Sequence, residues 1–399
     1  MSRRILIGLS FVSLAVLAAC SDSTSPDTTR RAPDAAAAVD ADVSALQAPG
    51  EYIVVLKEGT SDVSSAAASI TARGGRIKDQ WEHALKGFLV ELPAGIAIDL
   101  ARRSDVAIVE KNGIVTADAT QLFPPSWGLD RIDQRPRPLN NAYTYNRTGL
   151  GVHAYIIDTG IRPTHTDFAG RVLGGITVIA DGNGTNDCNG HGTHVAGTVG
   201  GTQYGVAKRV WLHPVRVLNC AGSGTFAGVI AGINWVAANK ISPAVANLSL
   251  GGGFSAAVNN AVNNLVNMNV ATAVAAGNSN LNACGSSPAS AVNPLTVGAT
   301  TITDFRAGFS NFGPCLDLFA PGVNIRSAWH TSNVASAVLN GTSMASPHVA
   351  GVAAQLRQAF PLWTAFQVQN TIRAQATVGL VVGAGVGSPN RLLYMGFIP

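Results

Sequence analysis

From Val152 onward, short apolar runs alternate with stretches of helical period, and few folds accept that order. Val152 to Asp158, Val210 to Leu218, Val245 to Leu250, Val270 to Ala276 and Leu295 to Ala299 read as strands. Phe226 to Ala238, Ser255 to Asn269 and Met344 to Phe360 read as helices. The alternation predicts a doubly wound α/β fold, a parallel sheet with helices on both faces. Ligands in such sheets bind beyond the carboxyl ends of the strands. Asp158, Leu250 and Asn278 stand at or just past such ends. With 47% hydrophobic and 13% charged residues in a chain of 399, there is material for a core and length for two or three domains.

Three stretches carry chemistry. Gly341-Thr342-Ser343-Met344-Ala345-Ser346-Pro347 presents one serine on a Gly-led turn. Val349, Val352, Ala353 and Leu356 then fall at i, i+3, i+4 and i+7, one apolar face of a helix. Pro347 is expected in the first turn, where a missing N–H costs little. Ser343 therefore stands at a helix N-terminus, where free N–H groups and the dipole favour negative charge; a plain helix cap would use the same residue. Tyr155-Ile156-Ile157-Asp158-Thr159-Gly160 is an apolar run ending in an acid and a turn. His191-Gly192-Thr193-His194-Val195-Ala196-Gly197 sets a histidine among small residues. Acid, base and nucleophile thus come in the order Asp, His, Ser, which is the subtilisin order. A serine hydroxyl is a poor nucleophile at neutral pH without an adjacent base, so the three types are needed together.

These stretches resemble the signature motifs of the subtilisin-like serine peptidases, most of all the proteinase K branch and its aqualysin-type enzymes. The similarity runs from about Ala119 to Tyr394. The resemblance implies a serine endopeptidase in which Ser343 attacks, His191 moves the proton and Asp158 orients the imidazole. Ala275-Ala276-Gly277-Asn278 resembles the motif whose Asn side chain joins the Ser343 N–H in binding the oxyanion. Asn247 to Gly252 resembles the substrate-binding strand. Ser249, Leu250 and Gly251 would pair with an extended peptide, and Ala275, Ala276 and Gly277 would form the other wall of the specificity pocket. Such small residues leave room for a bulky apolar or aromatic side chain before the cut. His194 lies three residues after His191, whereas a zinc-peptidase helix needs His at i and i+4 with a Glu between. His194 and His348 are therefore expected to be structural.

The resemblance also implies structural calcium, for which oxygen ligands are suited. One site would use the Asp317 carboxylate with the Val292 and Pro294 carbonyls. A second would involve Asp130, Asp133 and Gln134, with Asn140 and Ala142 where the relatives carry Ser. A competing reading, a catalytically silent lipid-anchored peptide-binding protein, is opposed by the presence of Asp158, His191, Asn278 and Ser343 together.

The N-terminal part has its own organisation. Residues 1–20 read as an export signal: Arg3 and Arg4, an apolar core from Ile5 to Leu17, then Leu17-Ala18-Ala19-Cys20. That ending resembles a bacterial lipoprotein box, which would leave a lipidated Cys20 as the first residue. Residues 21–49, rich in Ser, Thr, Asp, Pro and Ala, read as a disordered tether. Residues 50–118 carry strand and helix signals in the order β-α-β-β-α-β, a small ferredoxin-like α+β unit. It resembles the inhibitory propeptide of the family, which packs on the catalytic domain, assists its folding and passes its tail through the active site. Residues 119–399 are then the catalytic domain, with self-cleavage near Asp118–Ala119. Because Cys20 lies upstream of that cut, maturation would free a secreted, monomeric enzyme from a membrane-held precursor.

Cysteine parity agrees with lipidation. Five cysteines minus Cys20 leave Cys188, Cys220, Cys284 and Cys315. An exported chain favours disulfides, and four cysteines allow three pairings. The resemblance implies Cys188–Cys220 and Cys284–Cys315, each closing a loop of about 30 residues and contributing roughly 3 to 4 kcal/mol in the chain-entropy model. Expected partners are polypeptide substrates and the chain's own propeptide. A net charge of +4, without basic clusters interleaved with aromatics, gives no footing for nucleic acid.

Overall fold

The structure, a computed structural model, describes residues 49–59, 62–112 and 119–399. The expected signal peptide, the tether, Cys20 and the Asp118 side of the cleavage site lie outside the described residues. The chain divides into two compact units, Met1–Val115 and Thr116–Pro399. Among the described residues no helix is long and apolar enough to cross a membrane.

In the first unit, β1 (Pro49–Leu56), α1 (Val63–Thr71), β2 (Arg76–Trp81), β3 (Gly87–Pro93), α2 (Ala94–Ala101) and β4 (Val106–Lys111) follow one another. The strands form an antiparallel sheet in the order β2-β3-β1-β4. Tyr52, Val54 and Leu56 alternate inward along β1 and meet Val63, Ala67 and Ile70 of α1 and Ala97 and Leu100 of α2 in one core. Asp62 starts α1 by accepting from the Ser64 N–H.

The second unit opens with β5 (Ala119–Leu122), α3 (Trp127–Asp133) and β6 (Ala142–Tyr145). There follow β7 (His153–Asp158), β8 (Ile176–Thr177), α4 (His191–Gly200), β9 (Trp211–Arg216), α5 (Phe226–Asn239) and β10 (Ala244–Leu248). Next come β11 (Gly252–Gly253), α6 (Ala256–Asn267), β12 (Val270–Ala275), β13 (Ser286–Ser287), β14 (Leu295–Thr300) and β15 (Leu318–Pro321). The chain ends with β16 (Ile325–Ala328), β17 (Ser336–Leu339), α7 (Thr342–Ala359), α8 (Ala365–Gln375), β18 (Thr377–Val378) and β19 (Arg391–Leu392). A nine-stranded sheet runs β18-β19-β15-β14-β12-β10-β7-β9-β8. Every pairing in it is parallel except β18 with β19.

Both faces of this sheet are covered, which is why its strands are apolar throughout. Ala154 and Ile156 of β7 face a core shared with Val195 and Val199 of α4, Val349 and Val352 of α7, and Ile372 of α8. Tyr155 and Ile157, alternating with them, face Val229 and Ile233 of α5 and Val258 and Val262 of α6. The expected mostly parallel, doubly wound architecture is present. Of the boundaries that differ from expectation, two bear on the site. The run from Val245 stops being strand at Leu248, so Ser249 and Leu250 leave the sheet. The last long helix starts at Thr342, so Pro347 falls inside it and not in its first turn. Cys188 is joined to Cys220 and Cys284 to Cys315.

Candidate active site

Three sheet ends and two helix starts converge. Asp158 ends β7 and is fully buried; His191 is the first residue of α4; Ser343 is the second residue of α7. Asp158 Oδ1 lies 2.8 Å from His191 Nδ1 and also accepts from the Thr159 N–H at 2.8 Å. The His191 side chain keeps 27% of its surface exposed, so its outer edge faces the cleft. Burial disfavours the charged imidazole. The Asp158 charge and hydrogen bond, with the Asp187 charge behind them, outweigh burial and hold the His191 pKa above its ordinary value.

The turn into α4 explains how His191 is held. Gly190 has φ 110°, and a Cβ there would come within 2.5 Å of the Trp329 ring. Asp187 then binds the helix start. Its carboxylate accepts from the Asn189 and Gly190 N–H groups at 2.9 and 2.8 Å, from the Thr193 N–H at 2.9 Å, and from the Thr159 and Thr193 hydroxyls. A carboxylate on free N–H groups at a helix N-terminus is favourable. Asp187 was not singled out from the sequence, because it lies three residues before the N-cap Gly190, outside the positions where an acid signals a helix start.

Ser343 is positioned through its backbone. Pro347 has no N–H to give the Ser343 carbonyl four residues back. The Ser249 hydroxyl donates to that carbonyl instead, at 2.8 Å. Ser249 Oγ in turn accepts from Asn247 Nδ2 at 2.8 Å, and Asn247 Oδ1 accepts from the Ser346 hydroxyl at 2.7 Å. The Ser343 hydroxyl donates to the Ser249 carbonyl at 3.2 Å. No hydrogen bond joins it to His191 among the described residues. The two residues instead line neighbouring clefts that share Leu250, Gly251 and Gly252.

The Ser343 cleft, about 240 Å³, is walled by Ala275, Ala276, Gly277 and Asn278 on one side and Leu250 and Gly251 on the other. Gly277 has φ 101°, and a Cβ there would stand 2.4 Å from Asn311 Nδ2. Asn278 Oδ1 accepts from the Thr342 N–H at 2.8 Å and the Thr342 hydroxyl at 2.9 Å. Its amide nitrogen is therefore the end left for the cleft. Thr342, present in the serine motif but given no role there, fixes that orientation.

Comparison with known proteins gives the family. A model of the subtilase family matches residues 149–392, more than half of the chain. The chain belongs to the subtilase family. An extracellular serine proteinase of Thermus sp. (strain Rt41A) is 48% identical to this subtilase, over 97% of this chain and 98% of the relative. Alkaline serine exoprotease A of Vibrio alginolyticus is 44% identical, over 93% of this chain and 70% of the relative. The crystal structure of a cold adapted subtilisin-like serine proteinase is 50% identical with a TM-score of 0.66, covering 67% of this chain and 97% of that one. This subtilase is a subtilisin-like serine endopeptidase.

Two other histidines in the subtilase's core, His194 and His348, behave as packing residues. His194 Nε2 lies 3.1 Å from the Ile325 carbonyl, and burial pushes its pKa down to about 3. His348 Nδ1 lies 2.8 Å from the Met344 carbonyl, and burial pushes its pKa down to about 4. The two groups expected to bind calcium differ. Asp130 accepts from the Asn140 and Asn141 N–H groups, and Asp133 Oδ2 from the Thr144 N–H at 2.6 Å. Asp133 Oδ1 is buried without a partner. Burial, with the nearby Asp130 charge, raises the Asp133 pKa to about 7. Gln134 Nε2 donates to the Pro136 and Pro138 carbonyls. At the other group, the Asp317 carboxylate is in an ion pair with Arg373.

Proposed function

We propose that Asp158, His191 and Ser343 are the catalytic triad of a secreted endopeptidase with broad specificity. The observation that carries this is the buried Asp158–His191 pair beside a helix-borne Ser343 whose cleft also holds the Asn278 amide. Ser343 Oγ attacks the scissile carbonyl once a rotation about its Cα–Cβ bond takes it from the Ser249 carbonyl to His191. Catalytic hydrogen bonds tighten on substrate binding, so the resting rotamer is compatible with this step. His191 Nε2 takes the hydroxyl proton and returns one to the leaving amine, while Asp158 stabilises the imidazolium. The Ser343 N–H and the Asn278 amide nitrogen receive the oxyanion. The full set of four residues leaves the silent peptide-binding reading without support.

The small residues Ala275, Ala276, Gly277, Ser287 and Ala289 around the cleft support a preference for bulky apolar or aromatic residues before the cut. In a panel of peptides differing only there, Phe and Leu are expected to be cleaved at least about tenfold faster than Asp. Equal rates would overturn the pocket assignment.

Residues 50–118 are proposed as an inhibitory propeptide removed by self-cleavage near Asp118–Ala119. Its separate core and the near end-to-end match to the Thermus relative support this. Extracellular relatives support secretion. The box at Cys20 adds a lipid-anchored precursor to the proposal, freed by the same cut.

For calcium, the Asp130–Asp133–Gln134 group is the fitting one. It offers two carboxylates, Asp130 and Asp133, that accept only from backbone N–H groups among the described residues, and Asp133 has a buried orphan oxygen. A bound cation would hold α3 against the following loop and relieve that oxygen. At about 100 times its dissociation constant, calcium would add about 2.7 kcal/mol. Chelation is then expected to lower Tm by about 5 °C in a domain of this size. Asp133→Asn should remove most of that sensitivity; an unchanged response to chelator would reject the site.

A further inference from the structure

Two of the oxygens expected to bind calcium at this site, Asp317 Oδ1 and the Pro294 carbonyl, are already engaged by a side chain of α8. Arg373 Nε stands 2.6 Å from Asp317 Oδ1, and the Thr296 N–H donates to Oδ2 at 2.7 Å. The same guanidinium reaches the Pro294 carbonyl through Nη2 at 3.4 Å and Asn370 Oδ1 through Nη1 at 3.0 Å. One turn earlier, Gln369 Nε2 donates to the Asn293 carbonyl at 2.8 Å. Positions 369 and 373 are four apart and share a helix face. That face is directed at the 292–294 loop. Calcium takes six to eight oxygens at close range. Here one carboxylate oxygen faces a guanidinium, the other a backbone N–H, and one of the two carbonyls the same guanidinium. A fixed positive charge stands where the ion would have to be.

We propose that Arg373 is the built-in cation of this site. It ties the 292–294 loop to Asp317 in place of a metal, so this clamp does not depend on calcium. Both side chains keep 20% exposure, so the pair is shielded but not sealed. The clamp also bears on the specificity pocket. Thr296, held by Asp317, donates its hydroxyl to the Ala289 carbonyl at 3.0 Å, and Ala289 lines the Ser343 cleft. The inference goes beyond the proposed function and does not require the triad assignment. It shares with the calcium reading only the count of bound ions.

The test is calcium titration by calorimetry of the chelator-stripped full chain, carrying Ser343→Ala to prevent self-digestion. Asp317→Asn is expected to leave the stoichiometry unchanged. Arg373→Leu is expected to raise it by about one ion per chain. Adding Asp317→Asn to that variant should remove the gain. The proposal is overturned if Asp317→Asn alone lowers the stoichiometry, or if folded Arg373→Leu gains no ion. Should Arg373→Leu not fold, Arg373→Gln retains the length and polarity of the side chain without its charge and is read the same way. If the parent binds no calcium at all, the Asp133 reading falls, while the gain in the Arg373 variants still decides this one.

Discussion

Replacing Ser343 by Ala should leave the expressed protein at full length, whereas the wild type with calcium should fall to a fragment starting near Ala119. Turnover is expected to drop about 10⁶-fold, a magnitude carried over from subtilisin, a member of the same family, and not computed from this geometry. Labelling by a serine-directed fluorophosphonate should vanish with it. The fold should survive. The Ser343 hydroxyl makes one hydrogen bond, to the Ser249 carbonyl, and its loss costs about 1 kcal/mol. The contact that positions Ser343 uses its carbonyl and is unaffected by the substitution. Intact mass separates the outcomes. If both proteins stay whole and unlabelled, the triad assignment fails. If both are cut, self-processing fails, and the label alone reports on the nucleophile.

Asp158→Asn should lower turnover about 10⁴-fold with little change in KM, because an amide in place of the carboxylate favours the wrong imidazole tautomer. It should also move the acid limb of the pH profile. In the wild type, burial disfavours protonated His191, but the charges of Asp158 and Asp187 prevail and raise its pKa. Activity needs the neutral imidazole, so it is present above the raised pKa and lost as pH falls through it. Without the Asp158 charge, burial dominates and the pKa drops. The small residual activity should then persist to lower pH than in the wild type. A limb that stays in place would mean that Asp158 does not set the His191 charge.

The parallel core was legible because its strands are unbroken apolar runs ending at Asp158, Leu248 and Ala275, and that pattern has few solutions. The start of α4 was not. His191 to Gly200 holds three glycines among its ten residues, and no apolar period marks it as helical. What makes it a helix is packing against α7 and a start bound by Asp187, both tertiary. The proposed triad and Asn278 could be named from motifs. Their supports could not, since Thr342, Asn247 and Ser346 act through contacts 64 to 99 residues apart in the chain. At Asp317 the sequence offered a carboxylate, and only the fold brings Arg373, 56 residues later, onto it.

The parallel order of the sheet also governs when the protein becomes dangerous. Parallel neighbours are joined only by crossovers, so the residues at their ends are far apart in the chain. Asp158, Ser249 and Asn278 sit at the ends of separate strands, and Ser343 lies on a helix made after them. Even then β15 lacks its outer neighbour until Arg391 and Leu392 arrive. A ribosome-bound chain therefore carries the proposed acid, base and nucleophile with nothing to bring them together. Cutting power arrives late and all at once, when almost the whole polypeptide exists to be folded.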